Sequence, residues 1–216
     1  MPDAASTAVT PILSSRNRLL NAGKQLFARN GFENTSTVTI AREAGTSESQ
    51  LMKHFGSKQG LLTSIFERGW ESIADRVRVA AHNEAPSVRL FGVLEAVAIE
   101  LENDPDLKDL MMLEARRIGK DHHEVLVSRG FQHFASTVGE ILNDMRRHGQ
   151  LRPDLNLDAV RAAVVGMMEG LIRDRVVARR SEFRANYGFE DVKKVLDILV
   201  MAVSGDGVRS PKAVNK

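Results

Sequence analysis

Ser49, Gln50, Lys53 and His54 lie within the stretch TIAREAGTSESQLMKHFGSK, residues 39–58, and all four carry hydrogen-bonding side chains. Their spacing of one, three and one residues puts them on one face of a helix. The apolar skeleton beneath them is thin: Ile40, Ala41, Ala44, Leu51 and Phe55. Donors, acceptors and one cation without a nucleophile–base pair suit recognition of polar edges rather than bond-making. A helix of this kind fits the ~12 Å wide DNA major groove and offers its first side chains to base edges. Lys58 stands beside Ser57 at the expected start of the next helix, where backbone N–H groups and an ammonium together suit a phosphate oxygen. The same spacing also describes a small helical module with a solvated polar face.

Other groups have weaker geometry. In KDHHEV, His122, His123 and Glu124 are adjacent. Neighbours on a helix diverge by about 100°, so they cannot converge on one ion without another segment. A polar helix start explains them. Met111 and Met112 lie among Leu107, Leu110 and Leu113; paired methionines can line an adaptable pocket, and they can equally be core. Arg116 and Arg117 can meet an anion or water. Glu169 is the only charge in AAVVGMMEGLI, in line with Val165, Ile172 and Val176. A charge on an apolar stripe needs a partner, so Glu169 is a pocket residue, a contact across a dimer, or a residue at the solvent rim. There is no Gly-rich phosphate loop, no Gly-x-Ser-x-Gly elbow and no Glu-x-x-His pair.

The elements that must position these groups are helices throughout, and no alternating strand pattern is found. Leu19, Leu20, Gly23, Leu26 and Phe27 repeat at helical spacing up to Gly31. Ser36 is placed to cap a short helix over about 37–44, and Ser47 a second one to about 55. Ala41 and Gly45 are small where two helix backbones approach. Ser57 caps a long helix from Lys58 to about residue 81, which holds the only tryptophan, Trp70. Further helices are expected over about 87–102, 105–119, 122–148, 157–180 and 189–204. This gives an all-α chain: an arm over residues 1–13, a three-helix domain over 14–57, a bundle over 58–204 entered by the linking helix 58–81, and a mobile tail over 205–216. The last two helices are apolar on more than one face. One face serves the core, and the other marks a four-helix homodimer interface with Val164, Met168, Leu171, Ile198 and Met201 as expected contacts. Gly166 and Gly170 would allow the helices to approach closely.

Bulk properties are permissive. The 216 residues are 43 % hydrophobic and 27 % charged, with no cysteine, which excludes disulfides, thiolate metal sites and cysteine nucleophiles. The longest strongly apolar run, residues 162–168, is far short of the ~20 a membrane helix needs. The first thirteen residues lack the pattern of a signal peptide, so a cytoplasmic protein is expected. Residues 1–60 hold seven Lys/Arg against four Asp/Glu, and the rest 23 against 24, a mild bias that permits a nucleic-acid surface at the N-terminal end.

Residues 16–66 resemble the N-terminal DNA-binding domain of the TetR family of transcriptional regulators, through LFARNGFENTS, IAREAGTS, HFGSK and GLL in that order. The C-terminal part resembles the family only in helix count and in GQLRPDLN leading into a long apolar helix. The resemblance implies an N-terminal helix-turn-helix domain followed by a C-terminal ligand-binding and dimerisation bundle. It implies a homodimer on a palindromic duplex operator, released by a small apolar or amphipathic effector, with no cofactor, no metal, no membrane and no enzymatic activity. By position, Thr35, Ser36, Lys53, His54 and Lys58 are implied backbone contacts and Ser49 and Gln50 base-edge contacts. Thr39 and Ser47 complete the DNA-binding set. Met52 stands where the family usually has a tyrosine that reaches a phosphate, so either Lys53 or His54 compensates or docking differs. Trp70, Met111, Met112, Phe134 and Glu169 are expected around the effector, whose insertion would tilt the linking helix. Rival readings are a metal- or pH-responsive regulator using His122 or His123, and a helical enzyme with an incidental helix-turn-helix.

Overall fold

A computed structural model describes residues 13–80, 85–114 and 128–204. Among these, every regular element is a helix: α1 Ser15–Asn30, α2 Thr37–Glu43, α3 Glu48–Phe55, α4 Lys58–Ala80, α5 Pro86–Asn103, α6 Pro105–Glu114, α7 Arg129–Arg147, α8 Leu157–Arg180 and α9 Phe189–Val203. Helix α7 begins only at Arg129, because the Ser128 hydroxyl caps it by accepting from the Phe131 amide at 3.2 Å. The expected helix over residues 122–127, with His122, His123 and Glu124, lies outside the described residues. So do Arg116, Arg117, the arm before residue 13 and the tail after 204.

The chain divides into two compact units, Met1–Ile65 and Phe66–Lys216. The sequence places this boundary at 57/58. The structure moves it into α4, because Leu61, Leu62 and Ile65 are buried with the first unit. In that unit Leu19, Phe27, Ile40, Leu51 and Leu61 are almost fully buried. Each helix start is capped by a serine. Ser14 accepts from the Asn17 amide, Ser36 from Thr39, Ser47 from Gln50 and Ser57 from Gly60, at 2.9–3.3 Å.

In the second unit α5 is the central helix, with Leu90, Val93, Leu94, Val97 and Leu101 at most 3 % exposed. Helices α7, α8 and α9 contribute Val138 and Leu142, Val160 and Val164, and Leu196 and Val200 to the same core. The polar edges of α5 pair outward. Arg89 meets Asp144 of α7 at 2.6 Å, Glu95 meets Lys193 of α9 at 3.3 Å, and Glu100 meets Arg76 of α4 at 2.5 Å. At the α4–α7 contact Gly130 has no room for a side chain: a Cβ there would sit 2.1 Å from the Trp70 Cβ. No described helix is long and apolar enough to cross a membrane.

Two outcomes follow from this packing. Gly130→Ala is expected to cost about 1–3 kcal/mol in a denaturant melt, the usual penalty of overpacking. The Asp144 carboxyl is held below its usual range by its bonds to Arg147 and Arg89. A carboxyl with a depressed folded-state value stabilises above its unfolded value of about 3.9 and loses that contribution as pH falls through the folded value. Stability measured from pH 6 to pH 2 is therefore expected to fall less steeply in Asp144→Asn than in the parent.

Candidate nucleic-acid interface

The helix-turn-helix is α2, a short turn and α3. Gly45 sits in the turn with φ +59, a left-handed conformation that favours glycine. A Cβ at Gly45 would meet nothing within 4 Å, so the residue serves the turn's conformation and not a close approach of helices. Arg18 of α1 closes the turn from outside: its Nε donates to the Ala44 carbonyl at 2.9 Å and its Nη2 to the Gly45 carbonyl at 3.3 Å. This satisfies carbonyls at the C-terminal end of α2 that the helix itself leaves without partners. At the far side of the turn Thr37 donates to the Glu48 carboxylate, tying the first residues of α2 and α3 together.

Helix α3 buries only Leu51 completely. Ser49, Gln50 and Lys53 are exposed, and so is Met52 at 45 %. Ser36 and Ser47 are exposed at the two helix starts, with Thr39 half-buried behind Ser36. The Ser36 and Thr39 hydroxyls bond each other at 2.8 Å, as do those of Ser47 and Ser49 at 2.9 Å. Each hydroxyl has one donor and two acceptor sites, so these pairs keep capacity for an outside partner. Val38, 58 % exposed, and Arg42 complete the outer face of α2.

Three of the sequence-expected contact residues are engaged within the protein. Thr35 is 2 % exposed and donates its hydroxyl to the Gly31 carbonyl at 2.8 Å. It locks the α1–α2 loop with its side chain buried. His54 is half-buried, with Nε2 3.0 Å from the Ser15 hydroxyl, while Arg16 covers the neighbouring Phe55 ring at 5.4 Å. Together they fasten the end of α3 to the start of α1. The Lys58 ammonium donates to the Phe32 carbonyl at 2.9 Å and lies 4.3 Å above the Phe32 ring. In all three the side-chain donors reach backbone or side-chain partners within the fold. Of the two residues that could stand in for the tyrosine missing at Met52, only Lys53 is exposed.

In the second unit Trp70 and Phe134 stack at 5.6 Å between ring centroids, and Phe131 meets Trp70 edge-on at 5.9 Å. The two expected ligand residues thus fill each other's space in the core. Met111 packs against that core, and the Met112 side chain lies outside the described residues. Val164 and Met168, expected at a dimer face, are buried at 0 % and 3 % because their side of α8 turns into the core of the second unit. Glu169 is half-buried. The sequence did not single out the charges that do converge on a cavity: Glu102 on α5, Lys108 on α6 and Arg175 on α8. Arg175 holds Glu102 with two bonds of 2.9 Å, and the Lys108 ammonium is 3.1 Å away. Burial pushes the Glu102 carboxyl up, but the two cations outweigh it and leave it below its usual range.

Residues 19–65 match the family model described as bacterial regulatory proteins, tetR family, a span lying within the helix-turn-helix unit. The HTH-type transcriptional regulator UidR of Escherichia coli strain K12 is 23 % identical over 178 residues, covering 81 % of this chain and 86 % of UidR. Among solved structures, the fatty acid degradation regulator FadR of Bacillus halodurans superposes with a TM-score of 0.76 at 17 % identity, over 88 % of this chain and 96 % of that one. FadR of Bacillus subtilis, solved in complex with stearoyl-CoA, gives 0.74 at 17 % identity over 85 % and 96 %.

If the internal role of Arg18 is as described, Arg18→Met should destabilise the first unit by about 1–2 kcal/mol, the scale of a few partly exposed hydrogen bonds. A guanidinium chloride melt followed by helical circular dichroism measures this. Full retention of stability would remove the clamp from the account.

Proposed function

We propose that this chain, a DNA-binding transcriptional regulator of tetR type in its N-terminal unit, is a homodimeric repressor of a palindromic operator and is released by a small apolar or amphipathic effector. The observation that carries the reading is the outer face of α3: a capped, anchored helix with one buried side chain and Ser49, Gln50, Met52 and Lys53 all turned to solvent. Ser49 and Gln50, next to the capped start, are the base readers. Lys53, with the hydroxyls of Ser36, Thr39 and Ser47, positions the helix on phosphates.

Dimerisation is supported by what the second unit leaves uncovered. On α9, Val195, Ile198 and Met201 are exposed, the last two at 63 % and 57 %. On α8, Ala162, Ala163 and Gly166 are exposed, and a Cβ at Gly166 or Gly170 would meet nothing. Small residues on one helix and exposed apolar ones on the next suit a second copy of the chain. Half-buried Leu171 serves the bundle interior. Helix α4 is shared by both units, so it is the covalent route by which a ligand in the bundle acts on the DNA-binding helices. Such action requires the ligand to prefer the DNA-free state; tenfold release needs about 1.4 kcal/mol of differential affinity. This reading includes no catalytic role, and a cytoplasmic location follows from it.

Selection of bound sites from random duplexes tests the reading. The expected product is an inverted repeat, bound with an affinity that falls steeply with salt. Gln50→Ala should cost about 1–3 kcal/mol on that operator and relax preference at one base position. Ile198→Asp should sediment as a monomer and lose operator affinity at least tenfold. A parent protein that is monomeric at micromolar concentration, or that enriches no sequence, contradicts the proposal.

A further inference from the structure

The bundle contains a cavity whose charges do not balance. Its apolar wall is Leu101, Leu171, Ile172 and Val192, together with Met168 and Phe189. Its charged end is Glu102, Lys108 and Arg175. The Lys108 side chain is only 8 % exposed, a burial an ammonium tolerates only with an anion beside it. One carboxylate serves two cations there: Glu102 takes both Nη atoms of Arg175 and the Lys108 ammonium. Asp106, two residues from Lys108, is on a different side of α6, and the other two acids on this stretch are engaged elsewhere. Asp104 accepts from the Leu107 amide at 3.0 Å, and Asp109 pairs with Arg179. The charged end, where Lys108 is buried while Glu102 and Arg175 reach solvent, therefore carries one surplus positive charge beside an apolar wall.

We infer that this cavity takes a monoanionic carboxylate on an apolar body, the ligand's carboxylate seating on Lys108 while Glu102 stays bidentate on Arg175. The surplus is one charge, so one carboxylate completes a set of two cations and two anions. A neutral head group leaves the surplus in place, and a cationic one adds to it. The free room is about 30 Å³, roughly one water, so the ligand's chain has to part the wall. Met168, an unbranched and adaptable side chain, and Phe189 at the first residue of α9 are the groups that yield. Because α5, α6, α8 and α9 all line the cavity, filling it moves helices of the whole second unit. As an effector site this rests on the repressor reading above; as a binding site it does not.

The test uses the full-length protein without DNA, titrated calorimetrically with straight-chain carboxylates of six to twelve carbons. The alcohol, the trimethylammonium and the coenzyme A thioester of matching length serve as comparisons. The expected result is saturable binding of one carboxylate per chain. The alcohol should bind at least tenfold more weakly, and the trimethylammonium compound should not bind. Lys108→Met should bring carboxylate and alcohol to equal affinity. Glu102→Gln removes the competing anion and should tighten the carboxylate several-fold while leaving the alcohol unchanged, a gain that a misfolded variant cannot mimic. The inference is overturned if no carboxylate saturates, if alcohol or thioester binds as tightly, or if both variants keep the parent's preference. The carboxylate is then added to the protein–operator complex. Binding as expected with no release of DNA would sink the effector reading and leave the site standing. Failure to bind any duplex would sink the regulator reading and likewise leave the site standing.

Discussion

An eight-residue helix cannot hold itself together in water. Nucleation is costly, and isolated helices shorter than about 12–15 residues are marginal. Helix α3 is eight residues long and buries one side chain fully, Leu51. A large apolar face would stabilise it, but a helix meant to lie in a groove must keep most of its surface polar and uncovered. The rest of the first unit resolves that conflict by fastening the helix at its ends. Ser47 caps the start, and Thr37 ties Glu48 to α2. Arg18 closes the turn before it. The Ser15–His54 bond and the Arg16–Phe55 contact fasten the end. The helix is thereby held at both ends at little cost in covered surface.

The same constraint decides what was legible in the sequence. Periodicity and serine caps are local signals, and they place the end of α1 and the bounds of α2 to α5, α8 and α9 to within a residue or two of the structure. The internal partners of Thr35, His54 and Lys58 are not legible in the sequence, for a physical reason. A side-chain donor aimed at a phosphate and one aimed at a loop carbonyl are the same residue in the sequence. Only the fold brings the Phe32 carbonyl to Lys58, or Ser15 to His54, across 26 and 39 residues. Arg18 went unnoticed for the same reason. Ser49, Gln50 and Lys53 remain exposed, with the Ser49 hydroxyl bonded only to its near neighbour Ser47 among the described residues.

The second unit was less transparent. Two apolar faces on α8 and α9 were visible, but not which face turns inward. Val164 and Met168 went to the core, and Ile198 and Met201 stayed outside. Glu169 stood out because it interrupts an apolar run. The charges that converge on the cavity, Glu102 and Arg175, are 73 residues apart and interrupt nothing. Burial of Lys108 is the informative feature. A buried ammonium costs stability unless paired, and here its partner carboxylate is shared with Arg175.

The central claim is that the exposed face of α3 reads bases while its engaged residues hold the helix. The most direct measurement is the side-chain amide resonance of Gln50 in ¹⁵N-labelled protein, identified by its loss in Gln50→Ala. It is followed during titration with the selected operator and with a random duplex of equal length. If Gln50 reads a base edge, the resonance shifts and becomes protected from solvent exchange with the operator alone. A resonance that stays unmoved, or that moves equally with both duplexes, would contradict it.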